Sequence, residues 1–406
     1  MWIWGALTIV GLLVWNNLGM SVTLGCEALL ASPSLDGKRV GLVCNPASVD
    51  SRLRHVADLF ARHQKAELVA LFGPQHGFRS DVQDNMIETG HGEDCIRRVP
   101  VYSLYSETRE PTATMLEGID VLVIDLQDVG SRIYTFIYTM ANCLIACRKH
   151  AVKAIVCDRP NPIGGAQFEG PMLVHGFESF VGQYPIPMRH GMTIAELAQL
   201  FNSEFGIGAT LEIAKMHGWN RGMYFDDTHL PWVIPSPNMP TLDTAIVYPG
   251  AVLFEGTNVS EGRGTTRPFE ITGAPWPIAE RFAEHMNALA LPGVYFRPAV
   301  FEPTFQKHAK TTCAGCQMHV LDRREFIPVE AGVALIKAYR DADPKQFAWR
   351  QPPYEYEHTK MPIDILAGSS ELREQVESGM SARDIARSWT ASVDAFRKIR
   401  DRYLLY

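Results

Sequence analysis

The chain has 406 residues, 46% hydrophobic and 20% charged, so it can bury more than one small core, and two domains are the expectation. A formal net charge of -7 leaves no basic field to gather phosphates, which excludes nucleic acid as a partner and points to a small neutral or acidic organic ligand. Of the eight cysteines, Cys44 in "VGLVCN" and Cys157 in "AIVCDRP" end apolar runs, the setting of reduced core thiols; the lone "CAGC" at Cys313 and Cys316 lacks the second ligand pair of a metal site.

The first 20 residues open with "MWIWGALTIVGLLVW", too short for a membrane span and without the basic start of a secretory signal. An atypical signal peptide, a peripheral anchor and a start codon placed upstream of Met20 all fit. The last is preferred and predicts a cytoplasmic protein; a true signal would instead predict a periplasmic or secreted one.

From Lys38 onward, short apolar runs alternate with amphipathic segments: "RVGLVCN", a helix around 50 to 63, "AELVALFG", "DVLVIDLQDVG", a helix from about 134 to 149, and "VKAIVCDRP". Runs apolar at consecutive residues, such as Val121 to Leu126, are strands covered on both faces. The fold class is therefore α/β, a Rossmann-like parallel sheet with flanking helices. Each run ends in polar residues: Asn45, then "PQHG" with Gln75 and His76, then Gln127 and Asp128, then Asp158 and Arg159. Ligands of open α/β sheets sit beyond such strand ends, so the four make one candidate site. Asp125, inside its run, requires a partner, and Arg132 is the nearest candidate.

"FEGPML" presents Glu169 between an aromatic ring and a glycine, a setting that raises a carboxyl pKa for proton transfer. A helix with capping-box spacing starts at Thr193, and a strand "ATLEIAKM" follows. The Pro-rich passage "LPWVIPSPNMPTLDTAIVYPG" then excludes a long regular element and marks the division into residues 22–235 and a smaller α+β domain, 236–406. That second region carries helices near 277 to 290, 329 to 341, 369 to 378 and 381 to 402.

At its start lies "LFEGTNVSEGRGTTRPFE", too polar to be justified by burial. Asn258 suits sugar hydroxyls, Arg263 sits between glycines that let it reach an anion, and Glu255, Glu261 and Glu270 allow carboxylates to be paired with each other or with Glu169. Two carboxylates, one acid and one base or nucleophile, are what glycoside hydrolysis requires. Trp219, Trp232, Tyr248 and Trp276 are available as platforms for a sugar face. No G-x-G-x-x-G or Walker sequence follows the first strand, so neither a nucleotide nor any other cofactor or metal is indicated.

In order, "GKRVGLVCNPASV", "FGPQHGFR", "DVLVIDLQDVGSRIYTFIYTM", "DRPNPIGG", "FEGPML", "PMRHGMTIAELAQLFN", "SPNMPTLDTAIVYPG", "FEGTNVSEGRGTTRPFEITGAPW" and "PIDILAGSSELREQVESG" resemble glycoside hydrolase family 171, long known as domain of unknown function 1343. The resemblance implies a cleft between a Rossmann-like and a smaller domain, and release of terminal N-acetylmuramic acid from the non-reducing end of peptidoglycan fragments. Where many relatives read P-E-H-G, this chain has Gln75, which moves the expected chemistry to Glu255 as acid and Glu169 as base or nucleophile. His76 and Asp128 would orient hydroxyls, and Arg263 or Arg132 would meet the lactyl carboxylate. A non-catalytic muropeptide-binding protein, or a hydrolase of another N-acetylated β-glycoside, are the alternatives.

Overall fold

A computed structural model describes residues 21–82 and 87–406, and the apolar segment at 1–20 lies outside them. The apolar runs form β1 (Arg39–Val43), β2 (Glu67–Gly73), β5 (Val121–Ile124) and β6 (Lys153–Cys157), and two further strands, β3 (Gly92–Asp94) and β4 (Val99–Ser103), lie between β2 and β5 in the chain. Next come a two-stranded pair, β7 (Glu169–Met172) and β8 (Pro187–Arg189), and then β9 (Leu211–Ala214). The main sheet has the order β3-β4-β2-β1-β5-β6-β9, parallel except for the β3 edge. Alternate residues of β5 feed two apolar clusters: Leu122 and Ile124 pack with the helix Phe136–Lys149, and Val121 and Val123 with the helices Gly25–Leu30 and Val56–Ala61. A run apolar at every position is what two covered faces demand.

The second region carries the antiparallel strands β10 (Ile271–Ala274), β11 (Val294–Phe301) and β12 (Cys313–Val320) in the order β10-β12-β11. One apolar cluster runs from Val43 through Phe296 and Val333 to Phe396, so the two sheets share a core. Among the described residues no helix is long and apolar enough to cross a membrane.

The Pro-rich passage departs from expectation. It holds the helix Leu242–Ala251, with Thr241 as its cap and Pro249 inside. Pro249 falls in the last turn, where the ring costs one hydrogen bond instead of splitting a long helix. Gly250 next to it makes the crossing with helix Pro328–Ala342 possible: a Cβ there would stand 1.8 Å from the Pro328 carbonyl oxygen, and one on Gly332 2.4 Å from that of Gly250. The helix expected around 50 to 63 is only Val56–Ala61, because Asp50 accepts from the Arg52 and Arg54 N–H groups and closes a turn before it. The helix expected over 381 to 402 is two, Ala382–Ser388 and Thr390–Arg400.

The end of the chain returns to the main sheet. Tyr406 donates its hydroxyl to Asp158 at 2.7 Å, accepts from the Met216 N–H at 2.8 Å and packs edge-on against Trp219. Leu405 N–H reaches Glu196 at 2.8 Å, and Arg400 donates to the Gly191 carbonyl at 2.8 Å.

Candidate active site

The turn after β2 puts Gln75 and His76 at the wall of a hollow of about 530 Å³, mouth included. His76 has φ 70 and Gly77 φ 83, a left-handed pair that turns the chain back at once, and His76 Nδ1 is fixed by the Val82 carbonyl at 2.8 Å. Gln75 Oε1 accepts from the Thr135 hydroxyl at 2.6 Å, which leaves the amide nitrogen as the end that donates to a ligand. The rest of the lining includes Tyr134, Asn238, Tyr248, Glu255, Arg263, Tyr354 and Glu355.

Glu255 lies in the short 3₁₀ turn Val252–Gly256 that continues the helix Leu242–Ala251. Gly256 presses against Ile363, where a Cβ would meet backbone at 2.7 Å, and this close approach seats the turn. Glu255 Oε1 is 2.8 Å from Arg263 Nη2, and its Oε2 accepts from the Tyr354 hydroxyl at 2.6 Å. Burial, reinforced by Glu255, pushes the Tyr354 phenol well above its ordinary value, so it stays a donor. Both Glu255 oxygens are thus engaged by donors that fix the carboxylate in the wall of the hollow.

Behind it the charges alternate. Arg263 Nη1 is 3.0 Å from Glu261, and Lys307 Nζ is 2.8 Å from the other Glu261 oxygen. Burial alone would raise the Glu261 carboxyl, but Lys307 and Arg263 outweigh it and hold it at about 2. Lys307 also donates to the Phe254 carbonyl at 2.7 Å, locking the row to the turn that carries Glu255.

The second carboxylate of the hollow is Glu355, 3% exposed and 3.4 Å from the Tyr105 hydroxyl. Sequence reasoning missed it, because "QPPYEYEHTK" has neither apolar period nor glycine frame. The available signal was a pair of acids alternating with tyrosines after a double proline.

Of the expected site residues the hollow gathers Gln75, His76, Glu255 and Arg263; the others lie elsewhere. Glu169 begins β7, opposite Arg189 at 4.0 Å and beside Val329, and burial raises its carboxyl to about 8. It does not share the hollow with Glu255, because the strand aims it at the seam with helix Pro328–Ala342. Asp125 pairs with Arg159, with two contacts of 2.7 Å, and not with Arg132. Arg132 is fully buried and donates to the Pro171, Ile186 and Leu366 carbonyls, so it offers nothing to a lactyl group. Asn45 donates to the Pro235 carbonyl at 2.8 Å. Arg159 and Gln127 line a second, smaller hollow beyond the ends of β1 and β5, the place where a Rossmann ligand would sit.

Asp128 faces His190 at 3.1 Å, behind the wall. Asp158 caps the helix Ile194–Ser203 through the Thr193 hydroxyl and the Ala195 N–H. Asn258 is taken by the Gln346 carbonyl and the Ala348 N–H. Glu270 accepts from the Thr244 hydroxyl at 2.6 Å and from Arg267 at 3.2 Å. Tyr248 is the one expected aromatic platform in the lining.

Comparison with known proteins gives the family. The profile described as Exo-beta-N-acetylmuramidase NamZ, N-terminal, matches residues 40–243, and its C-terminal counterpart matches 246–406. Peptidoglycan beta-N-acetylmuramidase NamZ of Bacillus subtilis (strain 168) is 47% identical over 387 residues, 95% of this chain and 91% of the relative. Two crystal structures of DUF1343 family proteins from Bacteroides fragilis NCTC 9343 superpose with TM-scores of 0.86 and 0.73 at 35% and 27% identity, each covering 95% of this chain and 99% of the other. The chain is thus a member of the exo-β-N-acetylmuramidase NamZ family of glycoside hydrolases.

Proposed function

We propose that the hollow receives one terminal N-acetylmuramic acid and that the protein hydrolyses the β-bond joining it to the rest of a peptidoglycan fragment. The observation that carries this reading is the meeting of two buried carboxylates, Glu255 and Glu355, in one hollow. Glu355 protonates the glycosidic oxygen as the bond to the anomeric carbon breaks, and the remainder leaves as an alcohol. Glu255, fixed by Arg263 and Tyr354, faces the positive charge that develops at the anomeric carbon and directs the nucleophile to it. Water supplies the hydroxyl that ends on the sugar and the proton that restores Glu355. Gln75, His76 and Asn238 line the hollow and supply polar groups for the ring hydroxyls, the acetamido group and the lactyl carboxylate.

Turnover of a β-linked disaccharide with N-acetylmuramic acid at its non-reducing end tests the assignment. Glu255→Gln and Glu355→Gln are each expected to lose about a hundredfold or more in kcat, and Glu169→Gln less than about threefold. A Glu355→Gln enzyme within about tenfold of wild type removes the acid role. Tight binding of the disaccharide by the wild-type protein without turnover, on the other hand, makes it a muropeptide-binding protein.

A further inference from the structure

At the mouth of the hollow stands a group of rings that burial does not explain. Val181 and Glu355 both line the hollow, and their chain neighbours Phe180 and Tyr356 meet edge to face, with centroids 6.4 Å apart at 86°. The Arg109 guanidinium lies between Tyr105 at 4.3 Å and Tyr356 at 4.6 Å. It is itself held by the Ser106 carbonyl and by Glu88 at 3.2 Å. Tyr356 is thus steadied from one side, yet it remains 46% exposed. A large ring held by a guanidinium and still left open to water presents a fixed apolar surface to solvent.

The backbone singles out the same place. Glu355 and Tyr356 have φ of 45 and 67, two successive non-glycine residues in the left-handed region. Such a pair persists only where its surroundings impose it, and here each side chain is tied to a different partner. Tyr354 bonds Glu255, Glu355 meets Tyr105, and Tyr356 stacks on Arg109. The turn thereby sends an acid inward and a ring to the rim at consecutive positions.

We infer that Tyr356, with Phe180 beside it, is the binding platform for the leaving sugar, the residue on the reducing side of the cleaved bond. The inference rests on the hydrolytic reading above. In an exo-acting hydrolase the terminal sugar fills the hollow and the next sugar must lie at the mouth. The acid has to touch the oxygen between the two. The residue following that acid, one Cα step of about 3.8 Å away, is therefore at the level of the leaving sugar. Pyranose rings present a C–H face, and a flat phenol of fixed orientation is a suitable surface for it. Arg109 takes up one face of the ring, so the ligand lies against the exposed remainder.

Two substrates separate this role from a structural one: the β-linked disaccharide, and the methyl β-glycoside of N-acetylmuramic acid, which needs the same acid but has no leaving ring. The readout is the ratio of kcat/KM on the first to kcat/KM on the second. Tyr356→Ala is expected to lower that ratio about tenfold, chiefly through KM on the disaccharide, and Tyr356→Phe to keep it. An unchanged ratio in Tyr356→Ala overturns the inference, whether both activities fall together or neither does, since a ring that only positions Glu355 affects both substrates alike. A wild-type enzyme that cleaves neither substrate rejects the hydrolytic reading and the platform with it, whereas an active wild type with an unchanged ratio in the variant rejects the platform alone.

Discussion

Arg263 bridges Glu255 at 2.8 Å and Glu261 at 3.0 Å, so one guanidinium orients the carboxylate facing the hollow. Each of its terminal nitrogens holds one carboxylate. Arg263→Met leaves two buried carboxylates side by side with Lys307 alone to compensate them. The expected outcome is a fall in kcat of about a hundredfold together with about 3 kcal/mol of lost stability, read by steady-state kinetics and urea melts. A variant as active as wild type would show that Glu255 does not depend on this contact.

Glu169 gives a pH dependence whose sign follows from its position. Its carboxyl is raised from 4.5 to about 8, first by burial, with Arg189 opposing too weakly to offset it. The fold therefore favours the protonated acid. The stability this group confers is complete below about 4.5 and is lost as pH rises through about 8. Melting temperature should fall across that window in wild type and stay flatter in Glu169→Gln, a difference of about 2 to 4 kcal/mol at the alkaline end. Parallel pH profiles of the two proteins would contradict it.

The Asp125–Arg159 pair lies in the crevice between β1 and β5, with exposures of 0% and 4% for its two side chains. Asp125→Ala leaves a guanidinium buried without its counter-charge and should cost about 3 to 5 kcal/mol. Because neither member of the pair lines the hollow, kcat/KM at a temperature where the variant is folded should stay within about twofold of wild type. A large kinetic loss in the folded variant would place this crevice in the reaction after all.

Gly250→Ala tests the helix crossing. A methyl group 1.8 Å from a backbone oxygen cannot be accommodated by a rotamer change, so two helices must separate. The expected cost is about 3 kcal/mol or more by thermal or denaturant melts, with Gly332→Ala similar. Little effect in both variants would mean that the crossing is looser than described.

What could be read from the sequence divides along physical lines. The strands β1, β2, β5 and β6 were legible because a strand covered on both faces must be apolar at every position, and few other elements are. The strands β3 and β4 were not, since they form the edge of the sheet, β3 is only Gly-Glu-Asp and Pro100 interrupts β4. The helix Leu242–Ala251 was hidden by Pro249, because local propensity gives no sign of the partner helix that rewards it. Within the site, Glu255 and Arg263 were signalled by a loop too polar for burial. Glu169 shared much of that local chemistry, yet its strand turns it to a seam. Glu355 had no local mark of its own, since what makes it a site residue is contact with Tyr105 and proximity to Glu255, both distant along the chain.

The docking of Tyr406 on Asp158 has a consequence for biosynthesis. Asp158 and Glu196 belong to the half of the chain that leaves the ribosome first, and Tyr406 and Leu405 complete their hydrogen bonding only some 200 to 250 positions later. Until then this half carries acidic groups and a Trp219 surface without their final cover, a nascent state suited to chaperone holding and slow to mature. A fragment ending near residue 243 should accordingly accumulate in inclusion bodies, and supplying residues 246–406 as a separate chain should recover soluble material.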